Sequence, residues 1–254
     1  MIAAMSGHSK WSTIKRKKGA NDAKRGQIFS KLAREIMVAA RSGGEVIENN
    51  NRLAMVVQRA RAVNMPNANI ERAIARGAGG GDAANMEEIT YAGYASGGIA
   101  LLIDVITDNR NRSVAQIRNT LEGAGGRMAD TASVAWLFEN QGQILVEAAG
   151  RDFDDVFEAA VEAGADDVEA ADGQISILTG PSDLDSVRRS LVAGGLEVKQ
   201  SELIRVATNP VAASDRDSTA LLKLIDALEE LDDVRQVESN LELSDELVAD
   251  FAAG

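Results

Sequence analysis

The sequence has 254 residues, 45% of them hydrophobic, with no cysteine, one histidine and a net charge of −12. That length suits one large domain or two to three small ones with packed cores, and the missing cysteines exclude a disulfide framework, a thiolate nucleophile and a cysteine-built metal site. The charge is unevenly spread: residues 1–80 carry 15 Lys/Arg against 5 Asp/Glu (net +10), and residues 81–254 carry 12 against 34 (net −22). The acidic part repels phosphate, so only the basic end can approach a polyanion.

Ser6 to Asn21 is polar and basic without a clear period, and residues 1–21 read as a basic arm. A helix is expected from about Asp22 to Arg41. Its core face is Ile28, Phe29, Leu32, Ala33, Ile36, Ala39 and Ala40; Lys24, Lys31, Arg34 and Arg41 form a separate basic stripe beside Glu35. A second helix, about Asn50 to Asn64, would bury Leu53, Val56, Val57, Ala60 and Val63 and show Arg52, Arg59 and Arg61. Pro66 breaks the chain; Asn67 is placed to cap a third helix with Ile70, Ala73 and Ile74, and Gly77 to end it. These three helices, residues 22–77, make a small basic bundle.

Gly77 to Asp82 reads as a linker. It superficially matches a dinucleotide fingerprint, but it follows a helix and opens none, so nucleotide binding is not expected. The period then falls to two around Ile89, Tyr91 and Gly93, and Ile99 to Ile106 reads as a buried strand. A helix with Val114, Ile117 and Leu121 follows and ends near Gly125-Gly126. Strand Gln143–Glu147 leads to a helix with Phe153, Val156, Phe157, Ala160 and Val161. Strands Asp167–Ala170 and Gln174–Thr179, a helix with Leu184, Val187 and Leu191, and strand Leu196–Val206 complete a βαββαβ order. After Asn209-Pro210 come a helix with Leu221, Leu224, Ile225 and Leu228 and a strand near Val234–Leu241, which need the sheet begun at 87–134. The expected fold is α+β: an N-terminal three-helix domain followed by two α+β domains. One of these is discontinuous over 78–135 and 207–254. The other, 136–206, is ferredoxin-like and inserted into it.

Several motifs carry a family likeness. Ser6-Gly7-His8-Ser9-Lys10-Trp11 with Ile14-Lys15 and Lys17-Lys18, and Asp22-Ala23-Lys24-Arg25-Gly26 with Phe29-Ser30-Lys31-Leu32, resemble the opening of the YebC/PmpR family. So do Met65-Pro66-Asn67 with Asn69-Ile70-Glu71-Arg72-Ala73-Ile74, and Thr107-Asp108-Asn109-Arg110-Asn111-Arg112. Asp233-Val234 to Val237 with Asn240 and Glu242 matches more loosely, and the likeness spans about Met5 to Leu243. Met128-Ala129 and Ala132-Ser133-Val134 stand where the family usually has Leu-Gly and Gly-Ser-Val, which leaves the turn near residue 130 open. Met5 is the expected start of translation. The resemblance implies three domains and a role in gene expression. Members are named probable transcriptional regulators that bind DNA. A mitochondrial relative is a translational activator of cytochrome oxidase subunit one, and bacterial members are linked to ribosomes stalled on proline-rich stretches.

Lys15, Arg16, Lys17 and Lys18 form the densest cationic run, with Lys10, Lys24, Arg25, Lys31 and Arg34 close by. A phosphate-contacting surface is expected there rather than a solvated tail. Trp11 is suited either to stack on an unpaired base or to anchor the arm. His8, without a second histidine or a cysteine, suits a hydrogen bond or a phosphate rather than zinc. Arg110 and Arg112 stand between a strand and a helix that Asn111 or Ser113 could cap. There they either grip phosphate or an acidic partner, or pair with aspartate in a turn. No nucleophile–base pair, metal cluster or phosphate loop emerges, so neither enzymatic activity, cofactor nor small-molecule substrate is expected. With no run near the ~20 apolar residues of a membrane span, and Met1 to Ala4 too short for a signal segment, a cytoplasmic protein without a membrane partner is expected. The expected partner is nucleic acid, either DNA or, on the ribosome, ribosomal RNA or tRNA.

Overall fold

The computed structural model describes residues 22–80, 85–147, 150–171 and 174–242. It is an α+β protein: helices first, then two four-stranded antiparallel sheets with helices.

Helices α1 (Asp22–Gly43), α2 (Asn51–Ala62) and α3 (Asn67–Ala78) pack around Leu32, Ile36, Leu53, Val57, Ala60 and Ile70. Buried Asn50 fixes the α1–α2 corner. Its Oδ1 accepts from Leu53 N at 3.0 Å, capping α2, and its Nδ2 donates to Ala39 O and Gly44 O, each at 2.8 Å. A buried amide with every polar atom occupied specifies one corner geometry. Three local expectations are corrected. Pro66, whose ring fixes φ, is the N-cap of α3, and Asn67 is the first helical residue. Val63 follows the last turn of α2 and is exposed. Gly77 lies inside α3 rather than ending it: a Cβ there would stand 2.9 Å from both Ala40 Cβ and Met37 Cα. The glycine allows the two helices to cross closely.

The first sheet has the order β3 (Arg127–Ala129), β1 (Glu87–Tyr94), β2 (Ala100–Thr107), β8 (Val234–Ser239). β2 is buried along its whole length. Leu101, Ile103 and Val105 pack on α4 (Arg110–Gly123) and α8 (Asp215–Glu229) through Ile117, Leu121, Leu224 and Leu228. Ala100 and Leu102, on the other face, meet Val134 of α5 (Thr131–Ala135) and Phe138. Asp130 caps α5, its side chain accepting from Ala132 N at 2.8 Å, which defines the turn near residue 130.

The second sheet has the order β5 (Asp167–Ala171), β6 (Gln174–Thr179), β4 (Phe138–Glu147), β7 (Val198–Ala207), with α6 (Phe153–Ala163) and α7 (Leu184–Ala193) over one face. This is the strand permutation of a βαββαβ unit. β4 begins five residues before Gln143 because Phe138 to Gly142 pair with Leu203 to Ala207. That ladder runs down to the first sheet, where Phe138 and Ala207 join its packing. α6 differs from its expected face: only Val156 and Ala160 are buried, while Phe153, Phe157 and Val161 are exposed. Among the described residues no helix is long and apolar enough to cross a membrane.

Candidate nucleic-acid interface

Of the residues expected to contact nucleic acid, His8, Lys10, Trp11, Lys15, Arg16, Lys17 and Lys18 lie outside the described residues. The backbone of Lys24 is in the first turn of α1, and Arg25 beside it is exposed.

Lys31 and Arg34 are turned toward the protein. The Lys31 ammonium donates to Glu229 O and, at 2.7 Å, to Val234 O. Arg34 donates to Asp232 O and lies 3.3 Å from the Asp233 carboxylate. Gln27, one turn earlier, donates to Glu230 O. Apart from Val234 O, at the start of β8, these carbonyls belong to the C-terminal end of α8 and the loop after it, where unpaired C=O groups and the helix dipole favour cations. The basic stripe of α1 thus docks the helical domain onto the middle one.

Arg112 is likewise engaged. Its Nη2 lies 2.7 Å and 2.9 Å from the two oxygens of Asp233, its Nε is 3.2 Å from one of them, and Asp108 is 2.9 Å from Nη2. Ser113 Oγ, at 2.8 Å, and Thr107 Oγ1, at 3.1 Å, also reach Asp233 Oδ2. Burial alone would push the Asp233 carboxyl up; hydrogen bonds from Arg112, Ser113 and Thr107 more than offset this and hold it below the usual carboxylate range. The hydrogen bond to Asp233 in turn holds the Arg112 guanidinium above its ordinary value, against a smaller opposing effect of burial. The pairing with aspartate, of the two expectations for this segment, describes Arg112. The cap of α4 is Asn109, whose Oδ1 accepts from Arg112 N at 3.0 Å, and neither Asn111 nor Ser113. Arg110 stays at the surface, 3.6 Å from the equally exposed Glu87.

The cations facing outward on the bundle are others. Arg72 and Arg76 sit four residues apart on α3, both exposed, beside a cleft of about 220 Å³ between α1 and α3 that Phe29, Ser30 and Asn69 also line. Arg61 is exposed on α2. The i,i+4 spacing of Arg72 and Arg76 was the available signal in the sequence, since it places both on one helix face.

The three domains meet over a lattice of buried charge. Arg59 of α2 pairs with Glu35 of α1 and lies 3.6 Å from Glu202 of β7. Asp104 of β2 receives Arg205 of β7 at 2.8 Å, Arg235 of β8 at 2.5 Å and the Thr90 hydroxyl at 2.6 Å. Burial raises the Asp104 carboxyl, but the two guanidinium groups outweigh it and the net displacement is downward. Glu238 is 1% exposed, with Arg205 3.4 Å away, and burial together with the Asp104 charge pushes its carboxyl up to about 8. These groups surround a cavity of about 500 Å³. They neutralise one another and set the domain seating. Among the described residues no group of three His, Asp or Glu side chains is placed to hold a metal ion.

Comparison with known proteins covers nearly the same residues. Residues 9–80 match the family model described as the TACO1/YebC protein N-terminal domain, and residues 86–241 match that of the TACO1/YebC second and third domain. A protein of Rubrobacter xylanophilus named a probable transcriptional regulatory protein is 49% identical over 98% of this chain and 100% of its own length. One of the same name from Brachyspira hyodysenteriae is 44% identical over 96% of this chain and 99% of its own. The crystal structure of a conserved hypothetical protein from Aquifex aeolicus superposes with a TM-score of 0.82 at 39% identity, covering 88% of this chain and 93% of that one.

Proposed function

The chain belongs to the TACO1/YebC family, and on that premise we propose that it is a non-enzymatic regulator of gene expression that binds nucleic acid. Contact is made by the basic arm, through Lys10, Lys15, Arg16, Lys17 and Lys18, and by the outward cations of the bundle, Arg25, Arg72 and Arg76. The observation that carries this reading is the charge separation, +10 over residues 1–80 against −22 over the remainder. A polyanion meeting such a molecule is drawn to one end and repelled from the other. Lys31, Arg34 and Arg112 take no part, since they are turned onto the segment from Glu229 to Val234. DNA is the target to which the relatives' name, probable transcriptional regulatory protein, points.

The same bundle equally admits a second reading, binding to ribosomal RNA or tRNA as a translation factor. Lys31 and Arg34 of α1 face the end of α8, and Arg59 of α2 faces Glu35 and Glu202, while α3 turns two exposed arginines outward. α3 offers Arg72 and Arg76, and its Asn69 accepts from Arg72 at 3.4 Å. Two arginines on one face suit phosphate contact, on a folded RNA as well as on a duplex.

The test is sedimentation of native protein from lysate on a sucrose gradient, with a Lys15→Glu/Lys17→Glu/Lys18→Glu variant alongside, followed by salt-dependent binding to random-sequence duplex DNA. Wild type running with ribosomes while the variant stays at the top selects the translation reading. Both at the top, with duplex binding lost in the variant, selects DNA. Each lost phosphate contact should lower the slope of log K against log salt by ~0.7–0.9. Unchanged affinity of the variant for both targets at low salt overturns the assigned surface.

A further inference from the structure

The third domain carries a surface that nucleic-acid binding leaves unexplained. α6 turns Val156 and Ala160 into the core, yet Phe153, Phe157 and Val161 are 38%, 44% and 51% exposed. Residues four apart stack along one helix face, so these three form a single apolar row. The two phenyl rings lie 6.0 Å apart, centroid to centroid, within the range of an interacting aromatic pair. One position further around the helix runs a parallel row, Asp154, Glu158 and Glu162, also four apart and all exposed. None of these carboxylates forms an ion pair among the described residues. A lone exposed phenylalanine is ordinary; an apolar row and an unpaired carboxylate row side by side are a recognition pattern.

The charge decides what the pattern fits. Residues 136–206 contain 5 Lys/Arg and 15 Asp/Glu, a net of −10. Nucleic acid and anionic bilayers are repelled from this face. A second copy docking the same patch about a two-fold axis would set carboxylates against carboxylates. A helix with apolar side chains at i, i+4 and i+7 flanked by Lys or Arg satisfies both rows at once. We propose that α6 docks a cationic amphipathic helix of a basic protein, its apolar face on Phe153, Phe157 and Val161 and its cations on Asp154, Glu158 and Glu162. This surface lies in a different domain from the basic arm, and it stands or falls independently of the nucleic-acid reading.

The test titrates the full chain into a fluorescein-labelled Leu/Lys amphipathic peptide of about 18 residues, long enough to hold a helix. A permuted peptide of equal composition and charge serves as its pair. The helix should bind with micromolar Kd and the permuted peptide about tenfold or more weakly. Phe157→Ser should weaken the helix about tenfold, the loss of one well-packed anchor. Asp154→Asn/Glu158→Gln/Glu162→Gln should do the same and flatten the salt dependence; being surface-only, it keeps the test valid if the Phe157 variant unfolds. Equal binding of both peptides, or unchanged affinity of the carboxylate variant, overturns the proposal. So does sedimentation of the chain alone as a dimer that the triple carboxylate variant tightens and Phe157→Ser dissociates, which would make a second copy the occupant.

Discussion

Arg112 holds Asp233 across 121 residues of sequence, with Nη2 within 2.9 Å of both carboxylate oxygens. The carboxylate is almost wholly buried, and Arg34 from the helical domain reaches the same group. One aspartate therefore ties β8, α4 and α1 together.

Asp233→Asn removes that tie and leaves two guanidinium groups facing an amide. Losing charge-assisted hydrogen bonds to the buried group costs about 1.5–3 kcal/mol. The folded carboxyl is held low, so its stabilisation is whole above the unfolded value near ~3.9 and is lost as pH falls through the folded value. Urea unfolding should show the full deficit of the variant at pH 7 and a narrowing gap toward pH 3.

Glu238 has the opposite sign. Its carboxyl is pushed up to about 8, so the folded protein retains a proton that the unfolded chain releases near ~4.3. The favourable contribution is whole below that unfolded value and declines as pH rises to about 8, by up to ~1.4 kcal/mol per pH unit. Glu238→Gln keeps the shape without the charge. Its Tm should come nearest to that of wild type at about pH 4 and exceed it by a growing margin up to pH 9.

Gly77→Ala should destabilise although alanine is the better helix former by ~1 kcal/mol. The added methyl meets Ala40 Cβ and Met37 Cα at 2.9 Å, an overpacked crossing that costs about 1–3 kcal/mol. A lowered denaturant midpoint with an unchanged m-value is the expected outcome.

Lys31→Ala and Lys17→Ala should separate docking from binding. The first loses charge-assisted hydrogen bonds to Glu229 O and Val234 O, each worth about 1.5–3 kcal/mol, and should lower stability while leaving the salt slope of polyanion binding intact. The second should reduce that slope by ~0.7–0.9 and leave the melting curve unchanged. Paired melts and salt titrations of the two variants distinguish these effects.

The elements were legible in the sequence where hydrophobic periodicity governs. The βαββαβ order followed from alternation and apolar spacing, and the α+β class from the change of period after residue 81. Periodicity says that a face is covered, not by what. Phe153, Phe157 and Val161 have the spacing of a core stripe and are exposed on α6. Lys31 and Arg34 have the spacing of a phosphate-facing stripe and meet carbonyls some 198 residues away in the chain. Only the tertiary fold brings the end of α8 beneath them. Caps moved by a residue or more for a local reason: Asn109, Asn111 and Ser113 are all competent cap residues, and the end of β2 decides which one is used.

β8 closes the first sheet only after the whole of the second has been made. Thr107, at the end of β2, waits 126 residues for Asp233. At about 5–20 residues per second of synthesis, that delay is about 6–25 s. The strands of the second sheet follow one another in the chain and can pair as they emerge, while β2 stands with one edge open until the last strand arrives. A nascent chain interrupted before residue 234 therefore displays one unpaired edge of a strand that is buried along its whole length in the finished fold, which makes this interval the one in which a chaperone or a second nascent chain competes for it.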